Sequence, residues 1–289
     1  MIRRTFFRSG MLIVLAGLIA TGQTLAAEPV IVSAPHHEDR GVLVHTVESP
    51  YQPDKTEIRV LVPGEMAKGK QLPVIYVLPV EPHRENRFGD GLVEVRKHDL
   101  HNKHRVIFVA PTFAQLPWYA DHPCDASIRQ ESLFVKVVVP FVEKTYPAST
   151  NRADRRLLGF SKSGWGAWSL LVRHPEMFGR AAAWDAPLMM SEIGLYGNRD
   201  ILGSHEKFLQ YSPAELLRSP AASLREHKRF VLTGYGKFRE HHRQAHTLRD
   251  ELNIPHVYRD GPQREHNWHS GWVTEAVDLL MESEEDAGC

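Results

Sequence analysis

The sequence has few cysteines and no excess of either charge. Its two cysteines are Cys124 and Cys289, and the second is the last residue of a polar tail. We expect them to be unpaired, so the fold should not depend on a disulfide. Basic and acidic residues number 35 each, and such a balance favours neither nucleic acid nor an anionic membrane as a partner. No internal repeat or low-complexity linker interrupts the chain.

Long apolar runs are also scarce, and the one that stands out lies near the N-terminus. Arg3, Arg4 and Arg8 precede an apolar run from Met11 to Ala20, and small residues follow at Thr24-Leu25-Ala26. This pattern is typical of a secretory signal peptide, and the run is too short to span a bilayer. We expect residues 1–27 to be removed, by cleavage after residue 26 or 27, and the protein to be periplasmic or secreted. An uncleaved anchor is the alternative.

Residues 28–289 are predicted to form a single α/β domain. Without the three leader arginines they carry 32 basic and 35 acidic residues. Segment 187–223 fits no strand and is predicted to be an excursion over the carboxyl edge of the sheet, where such folds bind ligands. The alternation of the remaining segments predicts a mostly parallel sheet with helices on both faces. Strands are predicted at 41–47, 56–62, 72–78, 105–110, 156–160, 180–184, 229–233 and 256–258; helices are predicted at 92–101, 128–146 (bent at Pro140), 164–173, 241–252 and 272–281.

The strongest functional motif is Gly159-Phe160-Ser161-Lys162-Ser163-Gly164, which follows a predicted strand and opens a predicted helix. That is the context of a G-x-S-x-G nucleophile elbow, in which a serine occupies a strained turn. The positions two before and two after the serine must be small, and Gly159 and Ser163 meet this requirement. Ser161 is therefore the candidate nucleophile, and the Lys162 N–H is a candidate oxyanion donor.

A catalytic serine needs a base and usually an acid. His266 and His269 both lie in the loop between the last strand and the last helix, where this fold places its histidine, and His266 is the favoured candidate. Asp185 follows the strand 180–184, and Glu240 follows the strand 229–233. Either carboxylate could orient the histidine from the sheet's upper edge, and Asp260 is a weaker third candidate.

The segment around Ser161 resembles the putative-esterase family, which groups esterase D, enterobactin esterases, feruloyl esterases and the mycolyltransferases. The pattern RLLGFSKSGWGA carries this resemblance, with VVVPFVEKTYP before it and HPEMFGRAAA after it. The resemblance covers roughly Thr56 to Leu280 and implies the α/β-hydrolase fold and a small-molecule ester as substrate. In the family the elbow more often reads G-x-S-M-G-G, so Ser163 is a departure.

The resemblance bears differently on the other site residues. The family's histidine commonly lies in an H-x-W or H-x-F motif, which His266 matches and His269 does not. The family's acid usually follows a G-x-x-D pattern, but here Lys237 stands in that place, while Asp185 resembles the acid of lipases. A second oxyanion donor would come from Val80 or Glu81, because the preceding Pro79 has no N–H.

Two further groups of residues are weaker candidates. Trp118 and Tyr119 are either walls of a substrate pocket or core aromatics under a long loop. His98, His101 and His104 are spaced three apart, and His242 and His246 are spaced four apart, a spacing that zinc can use. Neither histidine group has a nearby cysteine or an H-E-x-x-H pattern, so we expect no metal.

These residues together predict an exported serine esterase that hydrolyses a carboxylic ester through an acyl-enzyme and needs no cofactor. The first alternative is another acyl chemistry on the same fold, such as acyl transfer or peptide cleavage. The second is a catalytically silent module with this fold that serves in binding, which the missing G-x-x-D acid favours.

Overall fold

The computed structural model describes residues 29–65, 69–218 and 220–282. The predicted signal peptide and Cys289 lie outside these residues. Cys124 is exposed and forms no disulfide with any of the described residues.

The described residues contain ten strands, which form one mixed sheet. The run β6-β5-β7-β8-β9-β10 is parallel, whereas β4 is antiparallel to both of its neighbours, β3 and β6. In space the order is β1-β3-β4-β6-β5-β7-β8-β9-β10, with β2 also paired to β3. The strands are β1 (Ile31–Val32), β2 (His36–His37), β3 (Leu43–Glu48), β4 (Thr56–Leu61), β5 (Val74–Leu78), β6 (Ile107–Pro111), β7 (Arg155–Phe160), β8 (Arg180–Trp184), β9 (Phe230–Tyr235) and β10 (His256–Gln263).

Helices cover both faces of this sheet. One layer contains α3, α4, α5 and α9, and the opposite layer contains α1, α2 and α10. None of the described helices has the length and apolar character that crossing a bilayer requires. The helices are α1 (Gly91–Lys97), α2 (Leu100–His104), α3 (Gln130–Leu133), α4 (Val139–Thr145), α5 (Lys162–Arg173), α6 (Arg199–Leu202), α7 (His205–Tyr211), α8 (Pro213–Leu216), α9 (Arg239–Glu251) and α10 (Val273–Met281), with 3-10 turns at Asp39–Gly41, Arg152–Asp154, Leu195–Gly197 and Ala222–Leu224.

The central strand β5 shows why the sequence forms this layered arrangement. Val74, Tyr76 and Leu78 pack into one helical layer, while Ile75 and Val77 pack into the other. Successive side chains of a strand point to opposite faces, so a strand buried on both faces must be apolar throughout. Burying each such side chain stabilises the fold by about 1.5–3 kcal/mol. The α/β-hydrolase architecture predicted from the sequence is confirmed.

Two helices differ in detail from their predictions. The predicted helix 92–101 is divided into α1 and α2 by Asp99, which has a φ of 53°. The predicted helix 128–146 is observed as α3 and α4 joined by a π-helical turn, Phe134–Val138. Pro140 follows this turn at the start of α4. A proline has no backbone N–H and so cannot donate the hydrogen bond that a regular helix needs at its position. The wider π-helical turn before Pro140 shifts the pattern of backbone hydrogen bonds.

Segment 187–223 contains α6, α7 and α8, and its described residues form no strand. A small apolar cluster attaches it to the start of α5, where Trp165 packs against Trp118 and Phe208. The segment therefore lies near the helix that follows Ser161.

A buried carboxylate links α3 to the C-terminal end of α5 and to α7. Glu131 accepts hydrogen bonds from Arg173 at 2.7 Å and from the Tyr211 hydroxyl at 2.6 Å, and its other oxygen lies 2.7 Å from Nε2 of His174. Burial alone would raise the pKa of Glu131, but these hydrogen bonds and the Arg173 charge outweigh it and lower the pKa to about 2. The ionised carboxylate is thus much more stable in the folded chain than in the unfolded one.

We expect Glu131→Gln to lower the free energy of unfolding at neutral pH by about 3 kcal/mol, the equivalent of the pKa depression. The difference from wild type should be complete above about pH 4.5 and should disappear as the pH falls towards 2, where wild-type Glu131 is itself protonated. Urea denaturation across this pH range measures the effect. Glu176→Gln, an exposed neighbour of His174, is the matched control. An equal loss in both variants would contradict the assignment.

Candidate active site

Ser161 occupies a sharp turn between β7 and α5. Its φ of 55° and ψ of −129° lie outside the regions that are favourable for a side chain. The Ser161 N–H donates to the Trp184 carbonyl at 3.0 Å, which ties the turn to the end of β8. Strained non-glycine backbone of this kind persists where the surrounding structure holds it, often at functional sites.

Small residues on either side make the turn possible. A Cβ added at Gly159 would lie 2.2 Å from the Ser163 carbonyl oxygen. The Ser163 hydroxyl donates to the Phe160 carbonyl and accepts from the Phe160 N–H, both at 2.9 Å. Ser163 is fully buried, so its hydroxyl satisfies the backbone of the elbow. This hydrogen bonding gives a physical reason for serine at a position where the family prefers glycine.

His266 lies beside Ser161. Its Nε2 is 3.1 Å from the Ser161 hydroxyl, and its Nδ1 hydrogen-bonds to Oδ2 of Asp185. The imidazole packs between aromatic rings, with centroid distances of 4.6 Å to Phe160 and 5.4 Å to Phe88. These contacts and the Asp185 hydrogen bond favour the observed orientation of the ring. The structure therefore brings together Ser161, His266 and Asp185 in one hydrogen-bonded chain.

Asp185 follows the last residue of β8 and is fully buried. Its carboxylate accepts from the backbone N–H groups of Lys237 and Phe238, each at 2.7 Å. Burial alone would raise the pKa of Asp185, but hydrogen bonds from His266 and from these amides outweigh it and hold the pKa below its usual range. A Cβ at Gly236 would lie 2.5 Å from the carboxylate, so a glycine is needed there. Lys237, which stands where the family has its acid, thus donates a backbone hydrogen bond to Asp185.

One residue near the site was not foreseen in this role. His242 is buried on α9, and its Nε2 accepts the Ala186 N–H at 2.9 Å, directly after Asp185. Burial lowers the pKa of His242 to about 4, so the ring is neutral and can accept this bond at physiological pH. The sequence spacing suggested only a metal ligand, because helical periodicity does not reveal which backbone amide lies opposite.

The alternative acids and base lie elsewhere. Glu240 is exposed and accepts from Gln244, and Asp260 pairs with Arg239. His269 is exposed near Gly89. None of Glu240, Asp260 and His269 hydrogen-bonds to the side chain of Ser161 or His266 within the residues described.

A cavity of about 390 Å³ opens above Ser161 and His266. It combines apolar rings with several charged side chains. Its lining residues are Glu81, Arg87, Phe88, Leu116, Ser161, Lys162, Pro187, Tyr196, Lys237, Phe238 and His266.

Trp118 and Tyr119 do not line this cavity. Both are fully buried, Trp118 against Trp165 and Tyr119 with its hydroxyl donating to the Pro79 carbonyl at 2.6 Å. They occupy the core under the loop, which is the second of the two placements considered from the sequence. A long aromatic-containing loop has the same sequence pattern whether its rings face the core or the ligand.

The oxyanion candidates lie on two sides of the elbow. Lys162 begins α5, and Val80 and Glu81 follow β5. Val80 is buried in the core, while Glu81 lines the cavity. Burial lowers the pKa of the Lys162 ammonium, and the Glu81 carboxylate, 3.8 Å from its Nζ, opposes that shift.

The candidate metal-binding histidines are engaged in other contacts. His104 bonds to Asp278, and His101 lies near Asn102. His246 does not pair with His242 but contacts His256, whose ring nitrogen is 2.7 Å away. The Asp250 carboxylate lies within 4.8 Å of both rings. Each of these three side chains offers one atom that could bind a metal ion, and the two imidazoles are also close enough to share a hydrogen bond.

Comparisons with known proteins agree with this architecture. Residues 118–251 match the family model described as "Putative esterase". This stretch contains Ser161 and Asp185, and His266 lies beyond it. No curated protein sequence matches the chain.

Solved structures show the fold. A ferulic acid esterase shares 21% identity at a TM-score of 0.64, covering 83% of this chain and 96% of its own. An S-formylglutathione hydrolase from Agrobacterium tumefaciens shares 16% at a TM-score of 0.69, covering 88% and 99%. Fluorophosphonate-binding serine hydrolase F of Staphylococcus aureus shares 16% at a TM-score of 0.67, covering 87% and 100%.

The resemblance recognised in the sequence is confirmed: residues 118–251 match the putative-esterase family model, and the chain is built on the α/β-hydrolase fold.

Proposed function

We propose that this esterase-family hydrolase cleaves a carboxylic ester through a Ser161–His266–Asp185 triad and an acyl-enzyme intermediate. The observation that carries the proposal is the hydrogen-bonded chain from the Ser161 hydroxyl through the His266 ring to the Asp185 carboxylate. Ser161 and His266 line the cavity, and Asp185 is buried behind them. This arrangement matches the roles of nucleophile, base and orienting acid.

In the acylation step, the Ser161 oxygen attacks the ester carbonyl while Nε2 of His266 accepts the hydroxyl proton. This requires the other ring nitrogen, Nδ1, to carry a hydrogen, and the Asp185 carboxylate accepts it. The lowered pKa of Asp185 keeps the carboxylate ionised at neutral pH, where it stabilises the imidazolium that forms. His266 then donates its proton to the leaving alcohol, and water repeats the sequence to release the acid.

Backbone amides would stabilise the negative charge on the tetrahedral intermediate. Lys162 is the first residue of α5, and the first N–H groups of a helix have no carbonyl partner within it. The Lys162 N–H and the positive end of the helix dipole therefore favour an oxyanion at this place. The second donor would be the N–H of Val80 or Glu81, beyond Pro79.

The silent-module alternative rested on the loss of the family acid at Lys237. The buried Asp185 carboxylate, paired to His266 and held by the amides of Lys237 and Phe238, supports a working triad instead. Acyl transfer to an acceptor other than water would use the same residues.

We expect Ser161→Ala and His266→Ala to lower kcat for a short-chain para-nitrophenyl ester by several orders of magnitude, because triad residues act as a unit. Asp185→Asn should lose about ten-thousandfold, since an amide favours the wrong histidine tautomer. Thermal unfolding should show that the Ser161 and Asp185 variants remain folded.

The matched controls are Glu240→Gln and His269→Ala, which should retain kcat to within about tenfold of wild type, as expected for exposed side chains outside the triad. A dead Glu240→Gln variant together with an active Asp185→Asn variant would assign the acid to Glu240. A fully active His266→Ala variant would contradict the proposed base.

We further propose that the protein is exported and that residues 1–27 are its signal peptide. Three arginines, a short apolar run and small residues before position 27 support this proposal. N-terminal sequencing of periplasmic or secreted material should begin at Ala27 or Glu28. Membrane-bound protein that retains Met1 would show an uncleaved anchor instead.

A further inference from the structure

The side chain of Lys162 is unusual for a lysine. It lines the cavity beside Ser161, yet only 10% of the side chain is exposed. It also lies in the first turn of α5, where the helix dipole disfavours a positive charge. A buried ammonium is costly unless it is paired and hydrogen-bonded.

The ion pair that the Lys162 ammonium forms within the protein is too long for a direct hydrogen bond. The Glu81 carboxylate lies 3.8 Å from the Lys162 Nζ, which exceeds the 2.7–2.9 Å or so typical of a charge-assisted hydrogen bond. Oε1 of Glu81 is itself buried and has no hydrogen-bond partner in the described chain. Lys162 lines the cavity, and its ammonium therefore has hydrogen-bonding capacity that Glu81 does not use.

Two further cationic side chains, those of Arg87 and Lys237, line the cavity. Arg87 is exposed, with its guanidinium 4.4 Å from the Phe88 ring centre. Lys237 is exposed, and its backbone N–H holds Asp185. Neither side chain forms an ion pair among the residues described. Among the described residues, three cationic side chains and one carboxylate, that of Glu81, thus line the cavity.

We propose that the cavity selects esters bearing an anionic group, and that the Lys162 ammonium receives this group while Arg87 and Lys237 attract it at the rim. This proposal rests on the ester hydrolysis proposed above and specifies its substrate class. Apolar side chains fill the rest of the wall and would contact the uncharged part of the substrate; they are Phe88, Leu116, Pro187, Tyr196 and Phe238.

The test compares esters in pairs of similar size, of which one member is anionic and the other neutral. One pair carries the charge on the acyl side: the para-nitrophenyl hemiester of adipic acid and para-nitrophenyl heptanoate, each corrected for spontaneous hydrolysis. The other carries it on the alcohol side: para-acetoxybenzoate and para-acetoxybenzamide. For each pair, the ratio of kcat/KM for the anionic ester to that for the neutral ester is measured. The pair with the larger ratio shows which side of the substrate carries the anion.

The decisive variant is Lys162→Met, which keeps the backbone N–H and most of the side-chain volume. We expect wild type to prefer the anionic member of at least one pair. In Lys162→Met the ratio should fall by about tenfold to a hundredfold, the range for one hydrogen bond to a charged group. The change should lie mainly in KM. Any general loss of activity affects both esters and cancels in the ratio. Lys144→Met, an exposed lysine on α4, is the control and should leave the ratio unchanged.

The outcomes separate this proposal from the proposed function. If both esters of each pair are hydrolysed but the ratio is the same in wild type and Lys162→Met, the esterase assignment stands and the anionic subsite is wrong. If no ester is hydrolysed, the proposed function fails. Calorimetric titration of adipate and para-hydroxybenzoate then tests the subsite alone. Binding that weakens at least tenfold in Lys162→Met supports it, and equal or absent binding overturns it.

Discussion

The buried carboxylate of Asp185 is the interaction on which the candidate site depends. An isolated buried charge is strongly unfavourable, so it must be met by donors on every side. Here the donors come from two parts of the chain: the His266 loop after β10, and the turn before α9, which supplies the Lys237 and Phe238 amides. Satisfying one charge therefore fixes the positions of the histidine loop and of the turn after β9 relative to β8.

The same constraint explains several residues around it. Gly236 lacks a side chain because a Cβ would collide with the Asp185 carboxylate. His242 is buried and neutral, and it accepts the Ala186 N–H beside the acid. Lys237 can occupy the position where the family usually has its acid, because its backbone amide, rather than its side chain, donates a hydrogen bond to Asp185. Ser163 similarly replaces a glycine because its hydroxyl bonds to the backbone of Phe160.

Much of the fold could be predicted from the sequence, because strands such as β5 and β6 are nearly continuous apolar runs and the elbow has a demanding local pattern. The choice between Asp185 and Glu240 could not be made, since both follow strands that end at the same edge of the sheet. Only the three-dimensional path shows that Asp185 turns inward at a positive φ while Glu240 lies on the exposed side of α9. The placement of Trp118 and Tyr119 was equally ambiguous, because a loop with aromatic residues has the same sequence pattern whether it covers the core or a ligand.

In the proposed mechanism, His266 activates Ser161, and Asp185 orients His266. The most direct measurement is reaction of the purified chain with a fluorophosphonate probe, followed by peptide mass spectrometry to locate the adduct. We expect one adduct per chain, on Ser161, and a much slower reaction at the same serine in Asp185→Asn. An adduct on Ser163 or another residue, or no adduct on the folded wild-type protein, would contradict this assignment.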